Sequence, residues 1–146
     1  MKQIIYNMVK DKYIYSLEMA VRDYELDFQC VVHNSNYQRY LEHARHAFLE
    51  EHGGSMTAMH AAGVDPMVSK ITIEYKSPLR GGDKFVVCIN MKREGAKLVF
   101  LQDIYNLAGD KLVVKARVEI VCVKDGRLTR GEMFDEVFKD FFSNQE

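Results

Sequence analysis

Two hydrophobic periods divide the chain. Between 35 and 52 the apolar positions recur at helical spacing: Tyr37, Tyr40, Leu41, Ala44, Ala47 and Phe48 stand at i, i+3, i+4, i+7, i+10 and i+11. A stripe of that spacing predicts one amphipathic helix of about 18 residues, roughly 27 Å long. Asn34, Ser35 and Asn36 each offer a cap before it, and Gly53-Gly54 a stop behind it.

From residue 68 the period is two. Ile71, Ile73 and Tyr75 alternate with Lys70, Thr72, Glu74 and Lys76, and Phe85, Val87, Ile89 and Met91 share one face of the next run. LVFLQDIYN (98–106) follows, and then Leu112, Val114, Ala116, Val118 and Ile120 alternate with Lys111, Val113, Lys115, Arg117 and Glu119. SPLRGGD (77–83), REGA (93–96) and AGD (108–110) separate these runs. Connections this short predict antiparallel neighbours, so 68–123 is expected as a four-strand meander, with an earlier strand around 13–23. One long helix between a first strand and a meander predicts an α+β arrangement, an antiparallel sheet wrapped around one central helix.

A last amphipathic stretch, 132–142 in a helix expected at about 130–142, puts Phe134, Val137, Phe138 and Phe141 on one side. It reads as a helix docked on the sheet or at a subunit boundary. Its acids Glu132, Asp135, Glu136 and Asp140 would be repelled by an anionic membrane.

Charge and length narrow the classes. Twenty basic residues against 21 acidic ones leave a formal charge of −1 in 146 residues, which gives no electrostatic case for nucleic acid. The whole chain, 1–146, is expected to be one domain with its core at about 13–123. MKQIIYNMVKDKYIYS has no apolar run of signal-peptide length, and no segment approaches the ~20 apolar residues of a membrane helix. Cys30, Cys88 and Cys122 are odd in number and unrelated in spacing, so neither a disulfide framework nor a zinc knuckle is implied. The expectation is a cytoplasmic protein with reduced thiols.

The stretch VRDYELDFQCVVHNSNYQRYLEHARHAFLEEHG (21–53) resembles the signature of hotdog-fold acyl-CoA thioesterases of the 4-hydroxybenzoyl-CoA thioesterase family. There an Asp is followed by a short Gly/Val segment and an Asn-Tyr pair on the opening turn of the central helix. Its wording is most similar to members that cleave 1,4-dihydroxy-2-naphthoyl-CoA or fatty acyl thioesters. IEYKSPLRGGDKF (73–85) resembles the family's second strand and turn. The resemblance implies a hotdog fold and hydrolysis of an acyl or aroyl thioester to free acid and CoA. It also implies a ligand between two protomers of a homodimer or homotetramer, and coenzyme A only as part of the substrate, with no other cofactor and no metal. An acyl carrier protein thioesterase and a non-catalytic module that holds an acyl thioester are the alternatives. One departure stands out: the family often has Gly where this chain has Cys30, so the loop is expected to differ here.

Thioester hydrolysis needs a group to deprotonate water or attack the carbonyl, and donors for the oxyanion. A carboxylate serves the first purpose, and free N–H groups at a helix start serve the second. Asp27 precedes the helix start near Asn34 by seven residues, enough chain to fold back and face it. By resemblance Asp27 is the catalytic carboxylate, as base or nucleophile, and the Asn34 amide polarises the carbonyl. The same residue types also fit a turn Asp and an N-cap Asn.

Phe28, His33 and Tyr37 are candidate substrate contacts, with Met56 or Met59 as candidate pocket walls. Lys76, Arg80, Lys92 and Arg93 are candidate partners for the coenzyme's phosphates. His43 and His46, with Glu42, share a helical face, but no further strong ligand follows at a metal spacing; Glu42 with His46, and Arg39 or Arg45 nearby, reads instead as a solvated or subunit-facing charged strip. Cys30 among Phe28, Val31 and Val32 has no visible activating base and reads as buried or pocket-lining.

Overall fold

The computed structural model describes residues 10–52, 56–109 and 111–142; the turn residues Gly53, Gly54 and Asp110 lie outside them. In chain order the elements are β1 (Tyr15–Ala20), α1 (Asn34–His52), α2 (Met56–Ala61), β2 (Val64–Tyr75), β3 (Lys84–Glu94), β4 (Lys97–Asn106), β5 (Lys111–Lys124), β6 (Arg127–Leu128) and α3 (Glu132–Phe142). Every paired strand is antiparallel to its neighbour, in the order β1-β3-β4-β5-β2, with the short β6 beside β5. The sheet curls around α1. This is the α+β hotdog arrangement that the two periods and the resemblance predicted.

The helical stripe packs where its spacing placed it. Tyr37, Tyr40, Leu41, Ala44 and Phe48 share one core with Phe85, Val87, Ile89 and Met91 of β3 and with Phe100, Ile104, Val118 and Ile120 of the next two strands. Burying each such side chain contributes about 1.5–3 kcal/mol. On the other face of the sheet, Val86, Cys88, Tyr105 and Leu107 form a second buried group against Tyr13 and Leu112.

Two expectations are corrected. The meander comprises β3, β4 and β5, because β2 lies beside β5 on the far edge and β1 takes the place next to β3. Segment 76–83 is therefore a crossing and not a hairpin. Leu79 in its middle is fully buried, and its carbonyl accepts the Val32 N–H at 2.9 Å, anchoring the crossing under the start of α1. Leu112 also leaves its predicted face. The register slips between Ile104 and Tyr105, so Val113 bulges into the main core and Leu112 packs on the outside.

The crossing fixes polarity. β1 and β2 end, and β3 begins, at the end of the sheet where α1 starts. The other end of α1 meets Tyr15, whose ring lies 6.2 Å from that of His52. There α3 docks as expected: Phe134 and Phe138 are buried, and the rings of Phe138 and Phe141 lie 6.1 and 5.2 Å from that of Phe48. Among the described residues no helix is long and apolar enough to cross a membrane.

Candidate active site

The loop between β1 and α1 is built by local polar bonds. Glu25 closes a single 3-10 turn by accepting the Arg22 N–H at 2.7 Å, and also accepts the Tyr40 hydroxyl at 2.8 Å. Its carbonyl takes the N–H of His33 and the Asn36 side-chain amide. A buried tyrosine needs a partner for its hydroxyl, and Tyr40 finds it here. That need was the one signal in the sequence that Glu25 matters. Burial, then the Glu25 bond, pushes the Tyr40 phenol well above its ordinary range.

Leu26 and Val32 pair across a tight turn, with the Asp27 N–H on the Val31 carbonyl at 2.8 Å and the Cys30 N–H on the Asp27 carbonyl at 3.0 Å. The Asp27 carboxylate folds into this turn: Oδ1 accepts the N–H of Gln29 at 2.8 Å and of Val31 at 3.3 Å. That is the turn role an Asp performs well. Among the described residues Oδ2 accepts nothing, so the turn role leaves one carboxylate oxygen uncommitted.

Cys30 closes the turn at φ +62°. The backbone there takes the left-handed conformation that suits glycine, so the strain falls on the cysteine. The thiol is exposed, and neither buried nor lining a described cavity.

The cap of α1 comes from an unexpected residue. His33, and not Asn34, Ser35 or Asn36, accepts first-turn bonds: its Nδ1 takes the Ser35 N–H at 3.2 Å and its carbonyl takes the Asn36 N–H at 2.9 Å. Asn34 N–H, the first of the helix, has no acceptor among the described residues. Beside it lies a cavity of about 250 Å³ walled by Val31, Val32, Tyr37, Tyr75, Lys76 and Pro78. Val31 is thus held by Asp27 and faces the cavity. Tyr37 is buried and its hydroxyl accepts the Leu79 N–H at 3.0 Å. Burial raises the pKa of its phenol; the Leu79 bond opposes this, and the charges of Tyr75, Asp83 and Asp27 add to it.

The remaining candidates divide by position. Lys76 and Arg80 stand at the same end as Asn34, Lys76 on the cavity wall and Arg80 in an adjoining cavity with Lys111. Lys92 lies eight residues along β3 from Lys84, about 26 Å away at strand rise, and pairs with Glu94 at 3.1 Å. Arg93, at that far end, holds Asp135 of α3 at 2.8 Å and donates to the carbonyls of Gly95 and Arg130. Phe28 is 93% exposed at the tip of the Asp27 turn. The side chain of Met56 lies outside the described ones, and Met59 walls none of the described cavities. Sequence reasoning missed Tyr75 as a wall, because a period-two pattern gives a face and not an edge. His46 meets Glu42 at 3.8 Å in the open, and among the described residues no three His, Cys, Asp or Glu side chains gather as a ligand set.

Comparison with known proteins bears on the family and the fold. Acyl-acyl carrier protein thioesterase ATL3, chloroplastic, of Arabidopsis thaliana is 36% identical over 104 residues, covering 70% of this chain and 55% of that protein. The chain thus spans about half the length of the Arabidopsis relatives it matches. Acyl-CoA thioester hydrolase YbgC of Shigella flexneri is 36% identical over 94 residues, 64% of this chain and 69% of that one. The crystal structure of a DHNA-CoA thioesterase from Staphylococcus aureus superposes with a TM-score of 0.73 over 86% of this chain and 83% of that one; at 24% identity the likeness concerns the fold. The model of the thioesterase-like superfamily matches residues 21–142, and the chain belongs to that family.

Proposed function

We propose that the protein is an acyl-CoA thioesterase. The observation that carries this reading is a helix-start N–H on the cavity wall, the Asn34 amide, near a carboxylate whose Oδ1 holds the Val31 that walls the same cavity and whose Oδ2, like that amide, is uncommitted among the described residues: Asp27. Water attacks the thioester carbonyl carbon as Asp27 takes its proton, or the carboxylate attacks and water then cleaves the mixed anhydride. In either route the oxyanion forms against the Asn34 N–H and the positive end of a 19-residue helix. The C–S bond breaks, the thiolate of coenzyme A leaves and is protonated, and the free acid remains. The scheme calls on no metal or redox cofactor. Lys76 and Arg80 flank the cavity where the coenzyme's phosphates would approach. His33 holds the helix start in place, and Phe28 is free to meet the ligand or a second copy.

The edge strand supports a homodimer. β2 presents Met67, Val68 and Tyr75 about half exposed along a row of backbone groups unpaired on one side, a template for pairing with another copy. Tyr75 also walls the cavity, so a partner on β2 would close the site; two such dimers would make the tetramer. Three free cysteines fit a reducing cytoplasm.

The names of the relatives support thioester chemistry and leave two carriers to separate. Thiol release should be followed from matched acyl-CoA and acyl carrier protein esters, with sedimentation for the oligomeric state. Rapid release from CoA esters supports the proposal. Release from carrier esters alone moves the function to an acyl carrier protein thioesterase, and tight binding without release makes the protein a binding module.

A further inference from the structure

Tyr40 is 2% exposed, and its ring lies 4.6 Å from that of Phe85 and 6.1 Å from that of Tyr37. The core therefore fixes where its hydroxyl points. That hydroxyl donates to Glu25 Oε1 at 2.8 Å, and the same oxygen accepts the Arg22 N–H at 2.7 Å. The Glu25 carbonyl accepts the His33 N–H at 3.0 Å and the Asn36 side-chain amide at 2.9 Å. Through its carbonyl and its carboxylate, residue 25 thus ties the chain before α1 to the first two turns of the helix, at Asn36 and Tyr40.

Both groups of the proposed chemistry hang from this junction. Asp27 follows Glu25 by two residues, and Asn34 precedes Asn36 by two. Between them the turn is closed by Leu26 against Val32 and by Asp27 Oδ1 on the Gln29 and Val31 N–H groups. Its second leg is held from the same helix. The Val32 N–H donates to the Leu79 carbonyl at 2.9 Å, and the Leu79 N–H donates to the Tyr37 hydroxyl at 3.0 Å. Two buried tyrosines of α1 therefore hold the two legs of the turn, Tyr40 the leg before Asp27 and Tyr37 the leg after it. None of Glu25, Asn36 and Tyr40 walls the cavity beside Asn34; they line a separate one of about 260 Å³. Their route to the reaction is through Asp27.

We infer that the hydrogen bond from Tyr40 to Glu25 is a positioning device for thioester hydrolysis: it sets Asp27 against the Asn34 amide, so that its loss lowers turnover without weakening ester binding. This rests on the thioesterase reading above. Reacting groups need placing to within about 0.5 Å, and a displacement of about 1 Å costs on the order of a hundredfold in rate. A leg freed at Glu25 keeps the turn that Asp27 closes, but loses the side-chain tie that fixes its distance from the helix start.

The test measures kcat and KM on the best acyl-CoA ester for the wild type, Tyr40→Phe, Glu25→Ala and Glu25→Gln, each checked for folding. Tyr40→Phe keeps the buried ring, and Glu25→Gln keeps an oxygen for both donors. The inference predicts a kcat about ten- to a hundredfold lower in Tyr40→Phe and Glu25→Ala at nearly unchanged KM. Glu25→Gln should retain most of the wild-type kcat. Tyr40→Phe should add nothing to the loss in Glu25→Ala, since both remove one bond, nor to the loss in Asp27→Asn, through which that bond acts. A folded Tyr40→Phe with wild-type kcat overturns the inference and leaves the thioesterase reading standing. So does a loss that multiplies with that of Asp27→Asn, or a Glu25→Gln as slow as Glu25→Ala. If the wild type cleaves no ester, that reading fails instead, and amide hydrogen exchange decides whether the bond fixes Asp27. Exchange of the Gln29 and Val31 N–H groups should then rise about tenfold in Tyr40→Phe relative to β4, the scale of a hydrogen bond to a charged group, and equal exchange overturns the inference. Should Tyr40→Phe fail to fold, Glu25→Ala carries the same comparisons from the loop side.

Discussion

The Leu79 N–H donates to the Tyr37 hydroxyl at 3.0 Å, so the first turn of the central helix and the crossing from β2 to β3 hold each other. Neither residue is exposed. Tyr37→Phe removes the acceptor and leaves a buried backbone donor unpaired, a loss of about 1–3 kcal/mol. Denaturant unfolding should show that loss with an unchanged slope, because the surface exposed on unfolding is the same.

Cys30 at φ +62° carries strain that glycine would not. Cys30→Gly relieves about 1–2 kcal/mol of left-handed strain and returns part of it through the freer unfolded chain. The expected net gain is about 0.5–1 kcal/mol, read as a rise in Tm of roughly 1–4 °C. A fall in Tm would mean that the thiol itself stabilises the turn.

The cations at the two ends of the sheet should behave differently. Lys76 and Arg80 stand by the cavity and Lys92 does not. Lys76→Ala and Arg80→Ala should each raise KM for CoA esters roughly two- to fivefold, the worth of an exposed charge contact, with kcat little changed. Lys92→Ala should leave both constants alone.

Burial, with the Asp103 charge second, pushes the Cys88 thiol up to about 12 from its ordinary 9.0. The folded state therefore favours the protonated thiol. Its contribution is fully present below about pH 9 and is lost as pH rises through the folded value toward 12. Alkylation under native conditions at pH 8–9 should modify the exposed Cys30 and spare Cys88 and Cys122, which denaturant should then release. Equal labelling of all three would contradict the buried outer cluster.

What the sequence made legible was whatever periodicity controls. The α1 stripe, the face of β3 and the aromatic side of α3 all stand as their spacing predicted. Strand order escaped because periodicity says which face is buried and nothing about which edge a strand joins. The crossing at 77–83 is fixed by Leu79 against Val32, a contact between distant segments. At the candidate site, Asp27 and Asn34 were singled out by resemblance alone, and the helix cap fell to His33, whose ring nitrogen can accept the Ser35 N–H. The burial of Arg45 was invisible in the sequence, since an arginine on a polar-looking helix face gives no sign that it is buried.

The most direct measurement is thiol release from the preferred ester by the wild type and by Asp27→Asn. The asparagine keeps a side-chain oxygen for the Gln29 and Val31 N–H groups, so the turn and the fold should survive, as a matched unfolding curve would verify. The account predicts a folded variant whose kcat falls by about 10²–10⁴, the range for loss of a general base. A folded variant that cleaves the ester as fast as the wild type would show that Asp27 only shapes its turn.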